Sequence, residues 1–212
     1  MSPTGHLWAH PGVARRWPDP RSALAALLFA LVVVACAGVP QATFDPSGPC
    51  GTDGRVSGAY PDLEANVPKT LGGRSPTRLD SGRNCTAANL GTFARHGLTE
   101  VRVAGGLWTD ASQSGVTLAV FTAPGLQADW VGEWYEASAR AARQTGNIKL
   151  SKPLVAGRPA NRMDLVNGES TQTVITWPAA PGSASPFGAI VNVVIAGDEP
   201  DERIQEALAA FP

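Results

Sequence analysis

Apolar and polar residues alternate in two neighbouring stretches near the middle of the chain. Residues 99–104 alternate regularly, and residues 116–121 form a second run rich in β-branched and aromatic residues. A polar stretch that contains glycine, residues 109–115, separates the two. The pattern predicts a β-hairpin.

Four further runs of β-forming residues follow, at residues 148–155, 162–166, 171–177 and 189–196. Asn167-Gly168, between the second and third, is a strong signal for a tight turn between antiparallel strands. Residues 178–188 are rich in Pro, Gly, Ser and Ala, and we expect a loop there.

Helical spacing is clearest at residues 126–144, where Leu126, Trp130, Val131 and Trp134 recur on one side. Shorter helices are predicted at residues 61–67 and 200–211, each opened by a proline. A fourth is predicted at residues 83–96, with Asp80-Ser81 as its cap and Gly97 at its end.

This order of elements predicts an α+β fold: a mainly antiparallel sheet of about five to six strands, with helices packed on one face. The element order is similar to that of small PsbP-like sandwiches. Such a likeness concerns the fold and does not indicate a function.

The N-terminal region has the pattern of an export signal. Arg15, Arg16 and Arg21 precede an uninterrupted apolar segment from residue 23 to residue 35. Even when extended to Val39 the segment is short for a membrane span, and Pro40 closes it. We interpret residues 1–35 as a signal peptide, with a retained single span as the alternative.

Val33-Val34-Ala35-Cys36 resembles the lipobox of bacterial lipoproteins, in which small apolar residues precede a cysteine. The resemblance implies that Cys36 is acylated, with chains such as palmitate, and becomes the mature N-terminus. It also implies an extracytoplasmic location on a bacterial membrane, at the outer face of the cell membrane or in the periplasm. Two or more acyl chains would give stable anchoring.

Without residues 1–35, the 212-residue chain leaves 177 residues, which suits one domain. Residues 36–58 are predicted to be the lipidated cysteine and a flexible tether, and residues 59–212 the domain. The mature part has 14 basic and 17 acidic residues, a net charge of −3. This balance gives no support for nucleic-acid binding, which needs a concentrated basic face.

Two cysteines remain beside Cys36. Because an exported chain enters an oxidising compartment, we expect Cys50 and Cys85 to form a disulfide. Two free thiols or half of a metal site are the alternatives. The mature chain offers only His96 as an imidazole ligand, so we expect neither a metal nor a cofactor.

Two groups of residues are candidate ligand contacts. Trp134 and Tyr135 point about 100° apart on the predicted helix, so one of them is expected to reach a rim or cleft while the other fills the core. Arg74 and Arg78, with Arg83, lie in a turn-rich stretch and form a candidate anion site, or else are solvated surface residues.

Signals for catalysis are weak. His96 is explained by the preference for histidine at a helix C-terminus, and no nucleophile motif accompanies it. We therefore predict a binding or accessory module of the cell envelope that takes a small ligand or an envelope protein. The alternatives are a small hydrolase that uses a carboxylate pair, Asp62 with Glu64 or Asp164 with Glu169, and a scaffold lipoprotein.

Overall fold

The strands of the chain form one large antiparallel sheet. A computed structural model describes residues 44–109, 114–183 and 185–212. In the order β1-β2-β3-β4-β10-β9-β8-β5, eight strands pair in the sheet, and β6 and β7 form a separate two-stranded ribbon. The strand bounds are β1 Gly54–Val56, β2 Arg78–Asn84, β3 Val101–Thr109, β4 Gly115–Ala123, β5 Thr145–Ser151, β6 Leu154–Val155, β7 Arg158–Pro159, β8 Asn161–Asn167, β9 Ser170–Pro178 and β10 Ala189–Gly197.

Five helices accompany the strands in the described ranges. Three are single turns, and α4 is the longest. Their bounds are α1 Pro61–Glu64, α2 Ala87–Leu90, α3 Thr92–Arg95, α4 Ala128–Ala141 and α5 Asp201–Ala209. The described residues all belong to one compact unit.

The central strands are apolar on both sides, which requires cover on both faces of the sheet. On β4, Leu118 and Val120 belong to one buried cluster, whereas Ala119 and Phe121 belong to a second cluster on the opposite face. Successive side chains of a strand point to opposite faces. The sheet is therefore the middle layer of three.

Different helices cover the two faces. On one face, which we call the α4 face, α3 and α4 bury residues such as Phe93 and Val131 in a cluster that includes Val193 of the sheet. On the other, the α5 face, α1 and α5 cover a cluster that includes Leu63, Trp177 and Ile204. On the α4 face the ring of Phe93 stacks on that of Trp134. On the α5 face the ring of Trp177 lies edge-on to that of Phe211.

The structure confirms an α+β fold with a mainly antiparallel sheet and corrects its details. The predicted count of five to six strands was too low, because β1 and β2 add two strands beside the hairpin. The prediction that helices pack on one face was wrong, because α1 and α5 bury their apolar residues on the face opposite α4.

Residues 83–96 also differ from the predicted helix. Arg78–Asn84 is strand β2, which pairs with β3 and with β1. The short helices α2 and α3 follow, separated by Gly91, whose φ of +50° interrupts the helix. The predicted hairpin, the long helix, the turn at Gly168 and the last helix are all present within a few residues of their predicted bounds.

Two sets of contacts hold the first described residues against β2. The Arg83 guanidinium is buried and donates hydrogen bonds to the carbonyl oxygens of Asp45, Gly48 and Pro49 at 2.9–3.0 Å. Cys50 and Cys85 form a disulfide with a Cα–Cα distance of 5.9 Å, which confirms the predicted pair. The segment predicted as a tether thus contains β1 and is joined to the sheet from residue 45 onward.

Candidate functional site

A cleft of about 220 Å³ lies on the α4 face, between α4 and the sheet edge formed by β9, β8 and β5. Its apolar wall consists of Tyr135, Leu150, Met163 and Val174. Leu150 is 54 % exposed, so an apolar side chain stands at the mouth. An apolar concavity with a few polar groups is the usual form of a small-molecule site.

The local sequence sets the distance between α4 and the sheet. At Gly132, an added Cβ would lie 3.2 Å from the side chain of Asn161 on β8, so a larger residue would push the helix away. One turn later, Tyr135 replaces this close approach with a large ring that lines the cleft. Gly132 and Asn161 also line the cleft, so this close approach forms part of its wall.

The aromatic pair of α4 is divided between core and cleft. Trp134 stacks on Phe93 at 5.6 Å, and its indole N–H donates to the carbonyl of Asn89 at 3.1 Å. Tyr135 packs edge-on against Phe121 and lines the cleft. Burial raises the pKa of the Tyr135 hydroxyl, which is therefore a neutral hydrogen-bonding group at physiological pH.

Charged residues line the rim and are paired with neighbours. Glu133 accepts hydrogen bonds from His96 and from Arg95, both at 2.6 Å, and these bonds lower its pKa. The His96 ring also stacks on Trp130 at 4.4 Å. Lys152 donates to Asp129 at 2.9 Å, which lowers the pKa of that carboxyl. The carboxylates of Glu133 and Asp129 at the rim are therefore ionised, and each lies beside a basic side chain.

This arrangement suits binding better than acid–base catalysis. A carboxylic acid that donates a proton at neutral pH needs a raised pKa, whereas the pKa values of Asp129 and Glu133 are lowered. His96 is held by Glu133 at the rim and does not line the cleft. The Tyr135 phenol, the Ser151 hydroxyl and the apolar wall remain to contact a ligand.

The candidate anion-binding arginines lie elsewhere. Arg78 pairs with Asp80 on β2, and Arg55 approaches the same carboxylate at 2.8 Å. Arg74 is exposed in the turn before β2, where its carbonyl accepts a hydrogen bond from Trp108. Neither Arg74 nor Arg78 lines the cleft, and the structure does not bring them together with Tyr135.

The disulfide is supported by a carboxylate beside it. Asp53 accepts backbone hydrogen bonds from Cys85 and Thr86 and a side-chain bond from Asn89. Burial alone would raise the pKa of Asp53, but these bonds outweigh burial and lower the pKa. Neither Cys50 nor Cys85 lines the cleft. The predicted lipidation residue, Cys36, and the predicted signal peptide lie outside the described residues.

The carboxylate pairs considered for catalysis do not line the cleft. Glu64 accepts hydrogen bonds from Gly58 and Ser81 beside α1. Burial alone would raise the pKa of Asp164, but hydrogen bonds from Arg162 and Thr173 outweigh burial and lower it. Both carboxylates therefore act as hydrogen-bond acceptors for neighbouring parts of the chain.

Three wall residues of the cleft were not singled out from the sequence: Leu150, Met163 and Val174. Each sits at an ordinary apolar position of a strand, and only the tertiary pairing of β5, β8 and β9 brings them opposite Tyr135. The one sequence signal was the apolar Leu150 in a strand whose other residues are mostly polar or small.

The described parts of the chain contain no cluster of three or more metal-ligating side chains. Within the same residues, no helix combines the length and hydropathy that crossing a membrane requires.

The chain was compared with models of known families, with curated proteins and with solved structures, and none of the three comparisons found a match.

Proposed function

We propose that the protein is a lipid-anchored extracytoplasmic binding module of the bacterial cell envelope, and that the cleft beside α4 is its ligand site. The observation that carries the ligand site is the cleft whose apolar wall includes Tyr135, while the rim carboxylates Asp129 and Glu133 have lowered pKa values. The anchor is supported by Cys36 at the end of its apolar segment.

The chemistry of the cleft favours a small apolar molecule with one hydrogen-bonding group. Leu150, Met163 and Val174 provide contacts for the apolar part. The Tyr135 hydroxyl makes no hydrogen bond with the residues that the structure describes, so it is available to a ligand as donor or acceptor. A cleft of about 220 Å³ favours a single ring or a short chain over a polymer.

The ligand site is tested with the unit from residue 42 to residue 212, its disulfide intact, and with indole, 4-methylphenol, cyclohexanol and 1-hexanol as probes. We expect saturable shifts of backbone amide NMR signals in α4, β5 and β8. Tyr135→Phe should weaken binding by roughly 5- to 10-fold, the equivalent of one neutral hydrogen bond.

Trp134→Phe is the matched control for that substitution. It changes the neighbouring ring on the same helix but lies outside the cleft, so probe affinity should stay within about twofold while the protein is folded. Equal affinities in wild type and Tyr135→Phe, or shifts that do not saturate, would contradict the proposed site.

The anchor is tested separately with the full chain expressed in a bacterium that processes lipoproteins. We expect wild-type protein in the membrane fraction and in the detergent phase after phase separation, with acyl chains on Cys36 by mass spectrometry. Cys36→Ala should move the protein to the aqueous phase if it is cleaved, or leave it at a larger mass if it is retained as a span. Aqueous wild-type protein would overturn the anchor and leave the cleft experiment unaffected.

A further inference from the structure

A second cavity, of about 260 Å³, lies on the α5 face between the chain that follows α1 and strand β10. Val67, Pro68, Ala179 and Ile190 give it apolar walls. Its polar side chains include those of Asn66, Lys69 and Asn192. The volume greatly exceeds the roughly 10–15 Å³ that one water molecule needs.

Asn192 is the unusual member of this lining. It is only 3 % exposed, yet its side-chain amide makes no hydrogen bond with any of the described residues. The buried residues on either side of it on the same face, Ile190 and Val194, are apolar. Because Asn192 lines the cavity, a molecule bound there could supply the hydrogen-bond partner of its amide.

A second unsatisfied group lies beside it. Trp177 of β9 is the cross-strand partner of Asn192. Its indole N–H is fully buried and has no hydrogen-bond partner in the described chain. Trp177 does not line the cavity, so the amide of Asn192 is the group of this pair that a bound molecule could reach.

The charge of the lining limits the chemistry of that molecule. Lys69 is the one charged side chain among the described lining residues. Pro212 also lines the cavity, and its carbonyl oxygen accepts a hydrogen bond from the guanidinium of Arg158 at 3.5 Å. The Lys69 ammonium donates to the carbonyl oxygen of Glu64 at 2.8 Å, which uses one of its three N–H bonds. A positive charge and an amide donor in an apolar cavity suit a carboxylate with a short hydrocarbon body.

We propose that this cavity is a binding site for small aliphatic carboxylates, in which Asn192 and Lys69 receive the carboxylate and Val67, Pro68 and Ile190 contact the hydrocarbon part. The site lies on the opposite face of the sheet from the cleft beside α4, and its residues are different. The two sites are therefore independent in any experiment that reads out individual residues.

The test uses the unit from residue 42 to residue 212 and amide NMR titrations with butanoate and hexanoate, with butanamide and hexanamide as uncharged controls. We expect saturable shifts at residues 65–69 and 189–193 for the acids, and at least fivefold weaker binding of the amides. Asn192→Leu and Lys69→Gln should each weaken hexanoate binding by roughly 10-fold or more.

Two controls make the outcome decisive. Tyr135→Phe should leave hexanoate binding at this site unchanged, because Tyr135 lies on the other face. Lys69 is exposed, so Lys69→Gln keeps the test valid even if Asn192→Leu fails to fold. The absence of saturable shifts up to 50 mM acid, or equal binding in wild type and Lys69→Gln, would mean that the cavity holds water only and would overturn the proposal.

Discussion

Replacing Cys50 and Cys85 together with alanine should lower the free energy of unfolding by about 4 kcal/mol. The bridge joins residues 35 positions apart. In the chain-entropy model, closing a loop of that size in the unfolded chain stabilises the fold by about this amount. The change is measured by denaturant unfolding, in which the midpoint should fall and the slope should rise because the unfolded chain becomes more extended.

Two comparisons separate the effect of the bridge on the unfolded chain from the loss of native contacts beside the cysteines. Unfolding wild-type protein with the bridge reduced should reproduce the loss, since the native contacts of Arg83 and Asp53 remain. Asp53→Asn is the local control, because it changes the hydrogen bonds beside Cys85 and keeps the bridge. A double alanine variant within about 1 kcal/mol of wild type would show that the bridge does not restrict the unfolded chain.

Phe93→Ala should cost about 3–5 kcal/mol, the range for removing a buried aromatic ring. Phe93 is fully buried in α3 and stacks on Trp134 of α4. The substitution removes the contact by which a single helical turn holds the long helix. Calorimetry gives the loss of stability, and the fluorescence of Trp134 should report a changed environment.

Matched variants on the same helix define the result. Phe93→Leu keeps most of the buried volume and should cost about 1–2 kcal/mol. Arg95→Ala removes an exposed ion pair with Glu133 and should change stability by less than about 1 kcal/mol. If Phe93→Ala were no worse than Arg95→Ala, the α3–α4 contact would not contribute to the stability of the fold.

The sequence predicted those elements whose patterns are local. The strands β3, β4, β8, β9 and β10 and the helix α4 were found because two-residue or helical spacing is visible within ten residues. The two-sided cover of the sheet was missed, although β4 is apolar on both of its faces. A strand with that composition must be buried on both sides, and this rule would have predicted helices on both faces.

Residues 78–96 show why a local sequence pattern can predict the wrong secondary structure. Arg78, Asp80 and Arg83 are charged and look like a solvated segment that leads into a helix. In the structure Asp80 is buried between two arginines, and Arg83 is buried against carbonyl oxygens. Asp45 and Arg55, which are distant in the sequence, bind these charged side chains and allow the segment to form a strand. The spacing of residues within the segment does not indicate these partners.

The sequence predicted only the part of the cleft that the long helix contributes. The angle between Trp134 and Tyr135 follows from helical geometry and needs no tertiary information. Its other wall depends on the register of β5 against β8, which includes a shift between Gly146 and Lys149. The residues around Asn192 were invisible for a related reason, since a single asparagine in a strand gives no indication of the cavity above it.

The position of β10 in the sheet also determines when the protein can fold. Ala189–Gly197 is the central link: it pairs with β4, more than 60 residues earlier in the chain, and with β9. Without β10 the strand order divides into two parts, β1 to β4 and β9-β8-β5, each with an unpaired edge that can pair wrongly. Closure of distant contacts is slow. Every residue up to 197 must therefore be available before either part gains its permanent neighbour.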